Sequence, residues 1–483
     1  MTSSPFPIAS GHQIAPARAV LRGQVVLLFC FGLVLPLLSV AWIAGTTIPF
    51  ADGVYESHEY VLPAIGLLET GEYVRAVNGT YTPELVRLPG YPLFIAGVYY
   101  VFGAGNNLAL AIAQAVLVGL TVAAIGLGAA AIDRSWMWPA ALMAGASANI
   151  GYRASIVLPE PLFVFEVAGA LCALLWAIYG RRTWLPLIVA SAFVASAFMT
   201  RPAFLAFPFF VAPFLALALW RVKGLRPAAA IIAAVLPAIV SIAVLIPRVL
   251  TVHSHTGHYA VTVQGGVHTL LWMYPCLATK GGCGDRAPEA LAYAEERQLE
   301  ELAKLPADIR ADRVAVDAVN RALARDLILD LPFTQLVGAS VTAFAKLMLH
   351  TVVYAHFERA HYEGVYWSQM PGGSLAARLG NFAAAIAARP PMWVWFVAQA
   401  LLFAARLLQL IGLVAALLDR RHRWTALLLM AAVAAFAAVA VGIGNPRYRV
   451  PIEPILAIFA VFGVDAIVRL IHRRRQPSPL AAD

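Results

Sequence analysis

The stretch IPFADGVYESHEYVLPAIGLLETGEYVRAVNGTYTPELVRLPGYPLFIAGVYY, residues 48–100, decides how the chain is read. It gathers Asp52, Glu56, His58, Glu59, Glu69, Glu72, Arg75, Glu84 and Arg87 between two hydrophobic runs. Elsewhere charge is scarce: of 483 residues 13% are charged and 61% hydrophobic, and the mean hydropathy is +0.76. Soluble domains are about half apolar and about a quarter charged, so this composition belongs to a multi-span helical membrane protein. The apolar runs are long and continuous rather than alternating, which argues against a closed β-barrel. Ionisable groups in hydrocarbon are expensive unless paired, so the 48–100 cluster belongs in water or a polar cavity and reads as the lip of a functional site.

The net charge of +9 follows the membrane rather than a nucleic acid. Arg18 and Arg22 precede the first apolar run, while Arg181-Arg182, Arg221/Lys223/Arg226, Arg420-Arg421/Arg423 and Arg473-Arg474-Arg475 occupy short junctions between or after runs. That placement marks the junctions as cytoplasmic. Val25–Ile43 is too long for a signal-peptide core and has no convincing small-residue cleavage site, so it is expected to stay as the first span.

Spans of about 20 apolar residues, anchored by these basic junctions, give the order. Arg22–Ala44 leads out to a first extracytoplasmic loop, residues 45–105. In it Leu62–Thr70 is expected to be a short helix with Pro63 in its first turn. Pro92–Phe102 is expected to lie in the interface with Tyr91, Tyr99 and Tyr100 at headgroup level. Crossings follow at Leu108–Ile132, Pro139–Ile156, Phe163–Tyr179, Leu185–Phe198, Ala203–Trp220 and Ala228–Leu250. Residues 251–335 form a large extracytoplasmic loop with two amphipathic helices broken at Pro306; the stripe Val316, Val319, Leu323, Leu327 is packing. Phe333–Val353 is read as interfacial or re-entrant, because a full crossing would put Arg420-Arg421 outside. Trp393–Leu418, Trp424–Ile443 and Ile455–Leu470 complete roughly ten crossings with both termini cytoplasmic. Residues 1–483 thus form one all-α polytopic domain ending in a tail, 471–483.

This topology, set by basic junctions alone, puts Glu56, Glu160, Arg201, Arg447 and Arg449 on one side of the membrane, as a site between helices would. The same regions carry a family resemblance. Glu56-Ser57-His58-Glu59-Tyr60, Ala64, Leu67-Leu68, Gly71-Glu72-Tyr73 and Arg87-Leu88-Pro89-Gly90-Tyr91-Pro92-Leu93-Phe94 resemble the first extracytoplasmic loop of the GT-C glycosyltransferases. Within that superfamily the loop is similar to the bacterial branch around the lipid A aminoarabinose and galacturonic acid transferases and the protein O-mannosyltransferases. Gly444-Asn445-Pro446-Arg447-Tyr448-Arg449-Val450-Pro451-Ile452-Glu453-Pro454 resembles the Arg-Tyr-x-x-Pro-x-x-Pro pattern opening the last core span. Leu158-Pro159-Glu160-Pro161-Leu162-Phe163 resembles the second acidic motif, and Thr200-Arg201-Pro202 the Arg-Pro pair.

The resemblance covers most of the chain in order. It implies a GT-C-like helical bundle with two membrane-parallel helices in the first loop. It implies transfer of a sugar from a polyprenyl-phosphate donor to a glycolipid, polysaccharide or protein acceptor, at a bacterial inner membrane with the site facing the periplasm or exterior. The family pattern is Asp-x-x-x-Tyr where this chain has Glu56, so either the base is shifted by one methylene or Asp52 takes the part.

The chemistry fits these residue types. Glu56 or Asp52 is placed to take the proton of an attacking hydroxyl. Arg201, Arg447 and Arg449, with Tyr448, are candidates to hold the lipid phosphate, since guanidinium is always charged and offers a planar fork of donors. A single displacement at the sugar carbon would invert its configuration. Tyr60, Arg87 and His268 are candidate acceptor or loop contacts. Plainer readings stand beside these: Glu160–Arg201 as a structural ion pair at helix ends, and Arg447 and Arg449 as headgroup anchors. His253, His255 and His258 have a spacing that a metal tolerates, but a solvated loop explains them as well and no other metal is called for. Cys276 and Cys283, six residues apart in a Gly-rich outer loop, suit a disulfide in an oxidising compartment, with two free thiols as the alternative. There is no nucleotide fingerprint and no cofactor is expected. A transporter or flippase for a lipid-linked or anionic solute is the alternative function.

Overall fold

The computed structural model describes residues 18–45, 55–77, 79–204, 206–279, 287–351, 370–389, 391–440 and 442–475. Asp52, Cys283 and the side chain of Glu56 lie outside the described residues. Helix α1 (Arg18–Ala44) leads to α2 (Tyr55–Thr70), the hairpin β1 (Val74–Val77) and β2 (Thr80–Pro83), and α3 (Gly90–Phe102). Then come α4 (Asn107–Ile132), α5 (Met137–Gly145), α6 (Ala148–Arg153), α7 (Glu160–Tyr179), α8 (Trp184–Thr200), α9 (Phe207–Arg221) and α10 (Pro227–Thr256). Among the described residues six helices are long and apolar enough to cross a membrane: Arg22–Ala44, α4, α7, α10, Trp395–Leu418 and Pro446–His472. The chain is an all-α polytopic integral membrane protein. Its largest buried cluster takes in Leu28 of α1, runs through α4, α5, α7 to α10, Trp395–Leu418, the shorter helix Arg423–Val439 and Pro446–His472, and is rich in alanine. Small residues let helix backbones approach where lipid gives no hydrophobic incentive to associate.

Several expectations need correction. Helix α2 begins at Tyr55, so Pro63 lies inside it. A proline there forfeits the bond that its missing N–H would have made to the Glu59 carbonyl. The 71–84 segment folds as an antiparallel hairpin with Val77 opposite Thr80. Gly79, at φ +78°, supplies the left-handed turn residue that an Asn-Gly pair signals. Tyr91 and Tyr99 face the protein rather than its surface. Both are buried, the Tyr91 hydroxyl donating to Gln114 Oε1 at 2.6 Å and the Tyr99 hydroxyl to Asn107 Oδ1 at 2.5 Å.

The expected span Pro139–Ile156 is broken into α5 and α6, and residues 154–159 are not helical. Irregular backbone at membrane depth survives only where the protein satisfies it. Gln114, fully buried in α4, does this by donating to the Ala154 and Ile156 carbonyls at 3.0 and 2.8 Å.

The segment before Pro332 carries helices Pro288–Ala303, Ala307–Ala311 and Arg313–Leu329, with the break after Pro306. Leu323 and Leu327 pack with Leu270, Tyr274 and Ala294, so the apolar stripe is packing. The Arg313–Leu329 helix meets Phe333–Leu349 at a bend of 105°. A further helix, Leu375–Ala387, precedes the long helix Trp395–Leu418. Cys276 is disulfide-bonded, and Cys30 and Cys172 are free.

Candidate functional site

Glu160 opens α7 and is fully buried, with no exposed side-chain surface. A carboxylate there has to be paired, and two arginines do so from distant parts of the chain. Arg201, at the end of α8, brings Nη2 to 3.3 Å from Glu160 Oε1. Arg447, in the 3-10 turn Pro446–Ile452, donates from Nε to the same oxygen across 287 residues of sequence. The Arg447 backbone N–H is fixed by Asn445 Oδ1 at 2.9 Å. The Arg201 guanidinium lies 6.0 Å from the Tyr448 ring centroid and 5.9 Å from that of Phe163, between two aromatic faces. Glu160, Arg201, Arg447 and Tyr448 are therefore brought together.

Two residues of this region escaped the sequence reading. Arg153, at the end of α6, is only 8% exposed, and the charges acting on it include those of Glu160, Arg447 and Arg201. Glu166, further along α7, accepts from Ser196 Oγ at 2.5 Å and Thr200 Oγ1 at 3.0 Å. It ties α7 to the very end of the helix that delivers Arg201. Both carried a usable signal, an ionisable residue inside an apolar stretch.

A second cluster sits alongside. Arg87 places its guanidinium 4.8 Å from the Tyr60 ring centroid, and Arg75 makes a fork of two bonds, 2.7 and 2.9 Å, to Glu59. Arg75 Nε also donates to buried Glu84 at 2.8 Å, whose other oxygen accepts the Val86 and Arg87 backbone N–H groups. Arg248 closes the turn from behind by donating to the Glu84 carbonyl at 2.6 Å. Gly90 then allows this turn to lie on the end of α8: a Cβ there would stand 2.7 Å from the Met199 carbonyl oxygen and 2.8 Å from Thr200 Oγ1. The Tyr60 and Tyr91 rings meet edge-on at 5.3 Å, and Tyr91 in turn feels the charge of Glu160. The two clusters are neighbours.

Burial pushes the Glu59 carboxyl up, but the hydrogen bond and charge of Arg75, with the charges of Arg87 and Arg313, outweigh it and leave it below the ordinary glutamate value of 4.5. A depressed folded pKa stabilises above the unfolded value and loses that contribution as pH falls through the folded one. Melting curves taken downward from neutral pH should therefore show the region around Glu59 weakening below pH 4.5, with a visibly shallower decline in Glu59→Gln. Identical pH slopes in the two proteins would rule this out.

The remaining candidates sit elsewhere. Arg449 is 1% exposed and turns inward, donating to Glu453 Oε1 at 2.6 Å and to the Leu347 and His350 carbonyls. His268 is half-buried in the helical turn Gly265–His268, which Asp317 fixes by accepting from the Gly266 N–H at 2.7 Å. The His253 ring stacks on Tyr259 at 4.0 Å, and His258 Nε2 lies 3.9 Å from Asp312 Oδ2. Among the described residues no group of three or more His, Cys, Asp or Glu side chains is placed to hold a metal. Glu160 is already matched by guanidinium charge, so it does not suit a divalent cation.

No family model and no curated protein matches the chain. Solved structures do. The Archaeoglobus fulgidus oligosaccharyltransferase in complex with Zn and sulfate superposes with a TM-score of 0.52 at 14% identity, over 93% of this chain and 50% of that one. Oligosaccharyltransferase AglB from Archaeoglobus fulgidus, with an inhibitory peptide and a dolichol-phosphate, gives 0.53 at 13% identity over 94% and 51%. ArnT from Cupriavidus metallidurans bound to undecaprenyl phosphate gives 0.35 at 17% identity over 94% and 81%, a superposition too loose to add to the assignment. The chain spans about half the length of the oligosaccharyltransferases it matches. The likeness is one of fold: over most of its length the chain shares the architecture of these two oligosaccharyltransferase structures.

Proposed function

We propose that the chain is an integral-membrane glycosyltransferase that moves a sugar from a polyprenyl-phosphate donor to a glycolipid, polysaccharide or protein acceptor on the extracytoplasmic side of the membrane. The observation carrying this reading is the closure of Arg201 and Arg447 on Glu160 at the mouth of a span. The Arg201 and Arg447 side chains retain partial exposure, 13% and 14%. A phosphate there would meet planar donors in a site of low dielectric, where charge-assisted bonds are strongest. Glu56 or Asp52 serves as the base that takes the acceptor proton, and the sugar carbon is inverted in a single displacement. Arg87 and Tyr60, next to this site, contact the acceptor or the sugar.

In this reading the shorter apolar helices α8, α9 and Arg423–Val439 also cross, giving about ten crossings with both termini in the cytoplasm of a bacterial inner membrane. The described fold is compatible with such a count because tilted or partly shielded short helices still traverse.

A transporter or flippase is the competing function, and one observation favours it: Glu166 and Glu453 are buried charges, and Arg406 a largely covered one, in or at the ends of spans. These groups are tied to one another or to hydroxyls, which suits a static frame. The deciding experiment supplies purified protein in vesicles with a labelled polyprenyl-phosphate sugar, with and without acceptor. Acceptor-dependent release of polyprenyl phosphate with label on the acceptor supports transfer. Movement of intact donor across the bilayer, without release, overturns it in favour of flipping.

A further inference from the structure

Arg153 is a buried guanidinium in want of an anion. It is 8% exposed, its Nε has no hydrogen-bond partner, and the Tyr152 ring centroid lies 5.7 Å from it. Its helix, α6, rests on the turn that carries Arg447, Asn149 Nδ2 donating to the Pro446 carbonyl at 3.0 Å, and the carboxylate whose charge reaches it, Glu160, is already shared between Arg201 and Arg447. Glu160 Oε2 is likewise without a hydrogen-bond partner. Burying a charge that is neither paired nor fully hydrogen-bonded is costly, and such a group persists where something else completes it. Arginine cannot escape by losing its proton.

Resting on the lipid-phosphate reading above, we infer that Arg153 is the floor of the phosphate site and answers the second negative charge that the phosphate gains when its bond to the sugar breaks. The charge balance follows from the chemistry. The donor is a phosphodiester with one negative charge. The acceptor hydroxyl oxygen forms its bond to the sugar carbon, the carbon–oxygen bond to phosphate breaks, and the phosphate oxygen keeps the electron pair. The hydroxyl proton goes to a carboxylate. The released lipid phosphate is a monoester with close to two negative charges at neutral pH. A site with Arg153 behind Arg201 and Arg447 is matched to that product, and so to the charge developing in the transition state, rather than to the donor.

The test is competitive binding to the purified full chain in detergent, with farnesyl phosphate as the monoester and its methyl ester as the diester. Wild type should prefer the monoester by about tenfold or more, the effect of one charge-assisted bond. Arg153→Gln should abolish that preference while keeping diester binding, and Arg153→Lys, which keeps the charge, should retain part of it. Inorganic phosphate should compete in wild type and fail in Arg153→Gln if phosphate chemistry alone suffices. Equal affinity for the two lipids in wild type, or an unchanged ratio in Arg153→Gln, overturns the inference and leaves the transferase reading standing. Failure of both lipids to bind wild type overturns the lipid-phosphate reading itself. Should Arg153→Gln not fold, the Arg153→Lys ratio and the wild-type preference still decide.

Discussion

Arg447→Met should slow sugar transfer by on the order of 10²–10³-fold, the usual cost of removing a donor aimed at developing charge. The loss should fall mainly on kcat, because the phosphate gains its second charge only as the sugar departs. Arg447→Lys should recover little of it, since an ammonium lacks the planar fork that lets one guanidinium serve Glu160 and a phosphate together. Folding should survive: Glu160 keeps Arg201 at 3.3 Å and the charge of Arg153, so the buried carboxylate is not stranded. Glu56→Gln should act on the other half of the reaction, costing roughly 10²–10⁴-fold by removing the base. Steady-state rates with a lipid-linked donor check both. Near-normal transfer by Arg447→Met in a folded protein would leave the Glu160 cluster as a strut and move the phosphate elsewhere.

Much of this site was legible before any coordinates, and the reason is electrostatic. In a chain this apolar each charged residue needs a wet or paired position, so Glu160, Arg201 and Arg447 stood out by type, and the structure brings them together. Which arginine meets Glu160 was not legible. Arg447 and Arg449 are two residues apart in one motif, yet a 3-10 turn sends the first to Glu160 and the second to Glu453. Nothing in hydropathy reports a turn that tight. The broken span at residues 139–156 was missed for a related reason: its irregular backbone is satisfied by Gln114, a partner on another helix. Arg153 was hidden inside that same misread span. The hairpin, by contrast, was spelled out by Asn78-Gly79 between alternating residues and was passed over in favour of a loop.

Glu453→Gln should destabilise the protein by about 3–5 kcal/mol, the cost of removing one partner from a buried ion pair. Glu453 sits between Arg449, 2.6 Å away, and Arg406, 3.4 Å away, and also accepts from Asn149 at 3.4 Å. Neutralising it strands two buried guanidiniums, each already holding carbonyls at the end of the Phe333–Leu349 helix: Arg449 those of Leu347 and His350, Arg406 that of Met348. The network fastens that helix end to the last two long spans and to the turn that carries Arg447. Denaturant or thermal unfolding in detergent measures the loss, and replacing Arg406, Glu453 and Arg449 together by apolar residues of similar volume should restore part of it. A Glu453→Gln protein as stable as wild type would mean that the cluster is hydrated and open. Arg449 would then be free to meet a phosphate as Arg447 is expected to. The two variants thus separate roles that one short motif holds side by side: Arg447→Met costs rate and spares the fold, whereas Glu453→Gln costs the fold first.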